Sequence, residues 1–313
     1  MTAAPPRRTT ITIGTRSSRL ARRQAQRVAE LIEAASPDAA CHTVEFTTSG
    51  DRTLDRPIAE VGGKGVFTKE LELALREHKI DVAVHSLKDL PVEDSPGLVI
   101  GAVCDREDAR DVLVSANPIT LDALPQGASV GTSSTRRTAQ LLAARPDLRM
   151  APIRGNVDTR VEKAKAGEYD AVVLAAAGLK RLGLESAIGQ HLPLDVMLPA
   201  PGQGALAVQC REDDATILSL VGKVDDPACR GATRTERAFL AALGGGCSAP
   251  IGGYATCAGG GPDAHLSFQG VIAAADGSHM IRCVADGTLR EATMLGRQAA
   301  KIALDDGAKE LLP

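Results

Sequence analysis

Residues 9–35, TTITIGTRSSRLARRQAQRVAELIEAA, contain a strand, a tight turn and a helix in immediate succession. The first seven residues alternate with a period of two, which predicts a β-strand. Ser17 or Ser18 then stands at the N-cap position of a helix whose apolar residues recur on one face. A strand that leads directly into a helix is the repeating unit of α/β folds, so this stretch decides the predicted fold class.

The same pattern recurs in the middle third of the chain. VGTSSTRRTAQLL (130–142) resembles IGTRSSRLARRQA (13–25), and YDAVVLAAAGLKRL (169–182) resembles IDVAVHSLKDL (80–90). We therefore predict two similar α/β domains of the periplasmic-binding-protein-like type that face each other across a cleft. The functional loops of each domain are expected at the carboxyl ends of strands and at helix N-termini.

The last third of the chain follows a different pattern. HLSFQGVIAAADGSHMIRCVADG (265–287) has two strand-like runs around an Asp-Gly turn, which predicts a hairpin, and REATMLGRQAAKIALDDG (290–307) predicts a helix. We expect a small C-terminal α+β domain, with the segment 198–210 returning from the second domain to the first. The predicted domains are residues 1–104 with about 200–222, residues 105–199, and residues 223–313.

Composition narrows the classes of protein. The chain has 313 residues, of which 44% are hydrophobic and 24% charged, and a net charge of −3. Its arginines are scattered, which argues against a nucleic-acid partner. No stretch approaches the roughly 20 apolar residues of a membrane span, and the N-terminus lacks an apolar leader, so we expect a cytoplasmic protein. The seven cysteines form no C-x-x-C pair, so no metal site is predicted.

Arginines at the ends of elements indicate an anionic ligand. Backbone N–H groups at a helix start, a hydroxyl and a guanidinium together bind carboxylate or phosphate well. Any one of these arginines is better explained as a solvated surface charge, but paired arginines beside glycine and small residues favour a polyanionic small molecule. The arginines are Arg16, Arg136, Arg137, Arg154, Arg160 and Arg181.

Two further motifs carry reactive groups. HSLKDLP (85–91) places Asp89 beside Lys88 where a strand ends. This pair is either an ordinary surface ion pair or a single carboxylate in a cationic site, where it would act as an acid or base and stabilise a cation. LGGGCSAPIGG (243–253) places Cys247 in a glycine-rich loop outside any apolar run. A nucleotide is not predicted, because VGGKGVF (61–67) is not a phosphate-binding loop.

The order of the motifs carries a family resemblance. From about residue 11 to 257 the chain contains, in order, GTRSSRLA, GDRTLDRPIAEVGGKGVFTKELE, DVAVHSLKDLP, GTSSTRR, RGNVDTR, LAAAGLKRLG, PAPGQGALAVQCR and GGGCSAPIGGYA. Together they resemble the porphobilinogen deaminase (hydroxymethylbilane synthase) family. The resemblance implies a transferase of tetrapyrrole (haem) biosynthesis that condenses four porphobilinogen molecules into hydroxymethylbilane and releases ammonia at each step.

The resemblance also implies a cofactor and the residues of the site. The family holds a dipyrromethane primer through a thioether, which by position is on Cys247, and Asp89 would assist proton transfer and stabilise the cationic azafulvene formed when the amine leaves. The cofactor carboxylates would be held by Lys88, Ser134, Arg136, Arg137 and Arg160. Substrate would be bound by Arg16, Ser18, Gln24, Arg154, Arg181, Lys64 and Phe67, although Phe67 is almost equally well explained as a core residue. The family suggests a monomer.

Two other classes of protein remain open from the residues alone. One is a non-catalytic two-domain protein that closes on a small anion, because a fold does not fix a function. It would need neither Cys247 nor Asp89. The other is a phosphate-handling transferase, against which the missing phosphate loop argues.

Overall fold

The computed structural model describes residues 9–48, 68–93, 95–245 and 249–312. The chain forms two compact units: Met1–Asp105 with Leu206–Pro227, and Arg106–Ala205 with Ala228–Pro313. These are called the first and the second unit below. The predicted division into three domains stays a prediction, and residues 228–313 are grouped here with the middle of the chain.

Strands and helices alternate through most of the chain, as predicted. The strands are β1 (Thr9–Arg16), β2 (Ala39–Phe46), β3 (Val82–Ser86), β4 (Leu98–Cys104), β5 (Asp111–Val114), β6 (Ser129–Gly131), β7 (Arg149–Ala151), β8 (Ala171–Ala175), β9 (Ile188–His191), β10 (Leu206–Arg211), β11 (Ile251–Ala258), β12 (His265–Ala273) and β13 (Met280–Thr288). The helices are α1 (Arg19–Ala35), α2 (Lys69–Arg76), α3 (Thr135–Ala144), α4 (Val157–Lys165), α5 (Ala176–Leu182), α6 (Ala215–Val221), α7 (Pro227–Ala242) and α8 (Ala292–Asp305).

Two five-stranded sheets share one topology. The first unit has the strand order β2-β1-β3-β10-β4, and the second has β7-β6-β8-β5-β9. In each sheet the first three strands are parallel, and the fourth runs antiparallel to both of its neighbours. The predicted α/β class with two similar halves is confirmed. β10 completes the first sheet, which agrees with the predicted return of the segment 198–210 to the first half.

An aspartate before the third strand of each sheet makes the same pair of hydrogen bonds to the neighbouring strand. Asp81 Oδ2 accepts from the Thr12 N–H at 2.8 Å, while the Asp81 N–H donates to the Thr12 carbonyl at 2.9 Å. Asp170 makes the same two bonds to Ser129, at 2.7 and 3.0 Å. Asp81 thereby fixes the start of β3 against β1, and Asp170 fixes the start of β8 against β6. This repeated pair of bonds gives a physical reason for the likeness of the two sequence halves.

The C-terminal part of the second unit is an antiparallel sheet, β11-β12-β13, covered by helices. Phe239 of α7, Phe268 of β12 and Leu295 of α8 are fully or almost fully buried in one apolar core. The predicted hairpin and final helix are confirmed, and Gly277 in the hairpin turn has φ +73°, a value that favours glycine. α7 and β11 were not predicted from the sequence.

Candidate active site

The first unit brings two predicted motifs to one edge of its sheet. β1 ends at Arg16 and leads through a serine pair into α1, while β3 ends at Ser86 and leads into a short 3₁₀ turn, Leu87–Asp89. Because β1 and β3 are parallel neighbours, their carboxyl ends lie at the same edge of the sheet. Arg16 and Ser18 therefore share this edge with Lys88 and Asp89.

The turn that carries Asp89 is anchored by apolar residues on both sides. Leu87 and Leu90 are buried, whereas Asp89 is exposed and Lys88 is half-buried. Burial of the two leucines stabilises the turn, because each removes a large apolar side chain from water. The Asp89 carboxylate is thus held at the surface by a fixed backbone, where a ligand can reach it.

Two buried amide side chains hold the strand that precedes this turn. Gln24 of α1 donates through Nε2 to the Ser86 hydroxyl at 2.8 Å. Gln209 of β10 lies with Oε1 3.2 Å from Nε2 of His85. Since successive side chains of a strand point to opposite faces, these two bonds lie on opposite faces of the sheet.

His85 is uncharged at neutral pH. Burial lowers the pKa of His85 to about 4, the hydrogen bond to Gln209 partly offsets this, and the positive charge of Arg16 lowers the pKa further. With Gln209 Oε1 as its acceptor, the imidazole carries its proton on Nε2. The site at this edge therefore gains its positive charge from Arg16 and Lys88 and not from the histidine.

The second unit presents helix starts at the equivalent edge of its sheet. Ser134 is the N-cap of α3, and its hydroxyl accepts from the Arg137 N–H at 3.4 Å. In the same loop, the Ser133 hydroxyl donates to the Ile153 carbonyl at 2.8 Å and accepts from the Ile153 N–H at 3.0 Å. These bonds fix the loop before α3 to the residue that precedes Arg154.

A buried carboxylate binds both arginines of the STRR motif. Asp111 is fully buried, and its two oxygens accept from Arg136 Nη1 and from Arg137 Nη2, each at 2.7 Å. Arg136 Nη1 also donates to the Leu198 carbonyl at 2.6 Å. Within the described part of the chain, Nη1 is the only Arg136 side-chain nitrogen that donates to protein atoms.

The charges of this cluster do not cancel. Burial raises the pKa of the Asp111 carboxyl, but the charges and hydrogen bonds of the two guanidinium groups outweigh it and hold the pKa well below the usual range. Asp111 is therefore an anion between two cations, and the three groups together carry one net positive charge. The cluster both fixes the two arginines and favours a nearby anion.

The other predicted arginines of the second unit lie in loops or at helix ends. Arg160 Nε donates to the Gly155 carbonyl at 2.8 Å, and Arg181 Nη2 donates to the Gly204 carbonyl at 2.8 Å. Arg154 Nη2 is buried and has no hydrogen-bond partner among the described residues. A buried donor without an acceptor costs free energy, and a carboxylate oxygen would remove that cost.

Three predicted site residues lie outside the described residues: Lys64, Phe67 and Cys247. Among the described residues, no group of three or more His, Cys, Asp or Glu side chains could hold a metal ion. Within those same residues, no helix is long and apolar enough to cross a membrane.

Asp111, His85 and Gln209 were not predicted from the sequence as residues of the site. Asp111 begins the buried strand DVLV, and a charge that opens a wholly buried strand must have a partner of opposite sign. That rule pointed to an arginine, although not to which one. His85 lies at the end of a buried apolar strand, so its polar partner could have been expected on a neighbouring strand.

Two family models cover most of the chain. The dipyrromethane cofactor-binding domain of porphobilinogen deaminase matches residues 11–219, and the C-terminal domain of porphobilinogen deaminase matches residues 232–305. The chain belongs to the porphobilinogen deaminase family. The membership makes the chain a transferase whose cofactor is a dipyrromethane, and it does not favour the non-catalytic anion-binding alternative.

Relatives named porphobilinogen deaminase match almost the whole chain. The protein of Brevibacillus brevis is 47% identical over 300 residues, which are 96% of each chain. The protein of Moorella thermoacetica is 48% identical over 302 residues, which are 96% of this chain and 95% of the relative. The protein of Roseiflexus castenholzii is 46% identical over 305 residues, covering 97% of this chain and 99% of the relative.

Solved structures of two-domain binding proteins are more distant. The periplasmic VFT2 domain of Bordetella pertussis BvgS is 15% identical with a TM-score of 0.42, covering 69% of this chain and 86% of that domain. The aliphatic sulphonate binding protein SsuA of Escherichia coli is 16% identical with a TM-score of 0.39, covering 74% of this chain and 70% of SsuA.

Proposed function

We propose that this chain is a porphobilinogen deaminase that joins four porphobilinogen molecules head to tail into linear hydroxymethylbilane and releases one ammonia at each step. The observation that carries the proposal is the exposed Asp89 carboxylate on its anchored turn, inside the part of the chain that matches the cofactor-binding domain. Arg16 and Lys88 at the same edge add positive charge. An acid beside cations suits a reaction in which an amine leaves an anionic substrate.

The donor set fits the cofactor. Each pyrrole ring of a dipyrromethane carries an acetate and a propionate, so the group needs several cationic donors. Arg136 offers two nitrogens without protein acceptors among the described residues, and the cluster around Asp111 keeps a net positive charge. We assign the cofactor carboxylates to Lys88, Ser134, Arg136, Arg137 and Arg160, and the covalent attachment to Cys247. When bound, the dipyrromethane supplies the free α-carbon that accepts the first substrate unit.

The substrate carboxylates go to a second group of donors. Arg154 supports this assignment most directly, because its buried Nη2 lacks an acceptor among the described residues. Arg16 and Ser18 lie at the sheet edge that also carries Asp89. We assign substrate binding to Arg16, Ser18, Gln24, Arg154, Arg181, Lys64 and Phe67. The hydrogen bond of Gln24 to Ser86 gives it a further role in supporting the turn.

Asp89 acts on the substrate's nitrogen atoms. A carboxylate at this position accepts a hydrogen bond from the protonated aminomethyl group and orients it for departure. As ammonia leaves, positive charge develops on the substrate pyrrole, and the anionic Asp89 stabilises it. We further propose that the protein is cytoplasmic and that it acts as a monomer. Size-exclusion chromatography would test the monomeric state.

The first experiment measures the intact mass of the denatured protein beside a Cys247→Ser variant. We expect an added mass equal to a dipyrromethane on the wild type and the bare polypeptide mass for the variant. A bare wild-type mass after incubation with porphobilinogen would refute the covalent attachment.

The second experiment measures consumption of porphobilinogen by an Asp89→Asn variant. We expect kcat to fall by about a hundredfold or more, because a neutral amide can neither accept the proton nor stabilise the cation. The dipyrromethane mass should be measured on the same sample, so that lost cofactor is not mistaken for lost catalysis. A fully loaded variant with wild-type turnover would refute the assignment.

A further inference from the structure

His85 and Gln209 form a buried polar pair that has no part in the mechanism above. Both side chains are almost fully buried, and the hydrogen bond between them crosses from β3 to β10. Arg16 is the cation whose charge reaches His85. β1 and β3 pair at Ile13–Val82 and Gly14–Ala83. Arg16 stands two residues after Gly14, and His85 stands two residues after Ala83. The pair therefore lies beside one predicted substrate-binding residue and just before the turn of Lys88 and Asp89.

The second sheet provides an internal comparison. Aligning β3 with β8 at their bracketing aspartates, Asp81 and Asp170, puts Leu174 at the position of His85. Gln209 pairs with Ala83 in the first sheet, and the corresponding pair in the second sheet is Val114 with Val172. The second sheet thus has Leu174 and Val114, both buried, where the first has histidine and glutamine.

The polar pair of the first sheet is not required by the topology that the two sheets share. The shared topology accepts an apolar pair at these positions, and burying two polar side chains costs desolvation that an apolar pair avoids. A hydrogen bond in the interior recovers that cost and fixes one geometry. The polar pair occurs in the sheet whose third strand leads into Lys88 and Asp89, and the apolar pair occurs in the sheet where that turn is replaced by Ala177 and Gly178.

We propose that His85, held by Gln209, is a positioning residue that fixes the carboxyl end of β3 and with it the Asp89 turn. The Gln24–Ser86 bond holds the same strand end from the opposite face. Together the two bonds leave the turn little freedom to shift along or out of the sheet. The inference rests on the proposed function, because it concerns the reaction at Asp89.

The test copies the second sheet into the first with the double variant His85→Leu/Gln209→Val. We expect a thermal midpoint at or above the wild-type value, an unchanged dipyrromethane mass, KM within about threefold, and kcat lower by roughly tenfold to a hundredfold, the usual effect of a small misplacement. His85→Gln keeps a neutral donor for Gln209 and should restore kcat to within about threefold of wild type. Thr233→Val, which removes a buried hydroxyl bond to Cys229 in α7, is the matched control and should leave kcat unchanged.

A folded, loaded double variant with wild-type kcat would overturn the proposal. So would a His85→Gln variant as slow as the double variant, because the imidazole itself would then be required. If the double variant does not fold, Gln209→Met removes the acceptor alone, and unchanged kcat there would also overturn the proposal. Absence of turnover by the wild type would refute the proposed function instead, and with it the positioning role.

Discussion

Asp111 is charged inside the second unit because the guanidinium groups of Arg136 and Arg137 stabilise its anion. Replacement by asparagine would leave Arg136 and Arg137 buried without a counter-ion, which costs far more than the pair itself contributes. For Asp111→Asn we expect the free energy of unfolding to fall by about 3–5 kcal/mol. Urea denaturation measures it. Asp305→Asn, which breaks an exposed pair with Lys301, is the control and should leave the urea midpoint in place. Equal midpoints for both variants would contradict the expectation.

His85 makes stability depend on pH in a definite direction. Its pKa is about 4 in the folded chain and about 6.5 in the unfolded chain, so the unfolded chain takes up the proton first as the pH falls. The contribution of neutral His85 to the free energy of unfolding is fully present above about pH 6.5. It is lost progressively between about pH 6.5 and pH 4, by about 3 kcal/mol in total. His85→Gln should remove this part of the pH dependence. Urea denaturation from pH 4 to 8 measures it, and parallel curves for the two proteins would count against it.

Helix α1 begins at a cap that the sequence predicted and the structure confirms. The Ser18 hydroxyl accepts from the Ala21 N–H at 3.3 Å, whereas Ser17 bonds through its backbone N–H to the Phe46 carbonyl. Ser18→Ala should therefore lower the free energy of unfolding by about 1 kcal/mol, and Ser17→Ala should not. Thermal denaturation of both variants decides this. Similar losses from the two substitutions would show that the cap does not act as described.

Several helices and strands could be predicted from the local sequence. The residues that they contact in the folded chain could not. The alternation in residues 9–15 and the serines before α1 were enough to predict β1 and α1, because strand period and capping are local properties. β11 was missed because Gly252 and Gly253 interrupt the alternation of apolar and polar residues that marks a strand. In the structure, Gly252 packs against Leu198 and Gly253 packs against Phe268. The arginines of the site were predicted from position, but Asp111 needed a contact 25 residues away that only the tertiary fold creates.

Glu236 connects distant parts of the second unit. One oxygen accepts from Arg106 Nη2 at 2.7 Å and from the Ala255 N–H at 2.8 Å, and the other accepts from the Gly202 N–H at 2.7 Å. Burial raises the pKa of Glu236, and Arg106 with the two N–H groups only partly offsets this. The carboxylate thus holds the start of the unit, the turn before β10 and the C-terminal sheet at one point.

Glu236→Gln should uncouple these parts. The amide leaves Arg106 without its counter-ion and turns a donor toward a backbone N–H. We therefore expect the free energy of unfolding to fall by about 3–5 kcal/mol. In hydrogen exchange, the amides of β11–β13 should open before those of β5–β9, whereas in the wild type the two sheets should open together. Glu291→Gln, which alters only the capping box before α8, is the control. Joint opening of both sheets in Glu236→Gln would contradict the coupling.

The position of β10 has a consequence for how the chain folds during synthesis. The first sheet needs β10 between β3 and β4, yet β10 follows β4 by about a hundred residues, or roughly 5–20 s of translation at 5–20 residues per second. β5–β9 are contiguous in the chain and wait for no later strand. Nascent chains arrested on the ribosome with residue 205 just outside the tunnel should therefore be protease-resistant in β5–β9 and sensitive in β1–β4. The sheet whose first strands are made first would be the sheet completed later, and until then the edges of β3 and β4 would depend on chaperones for protection.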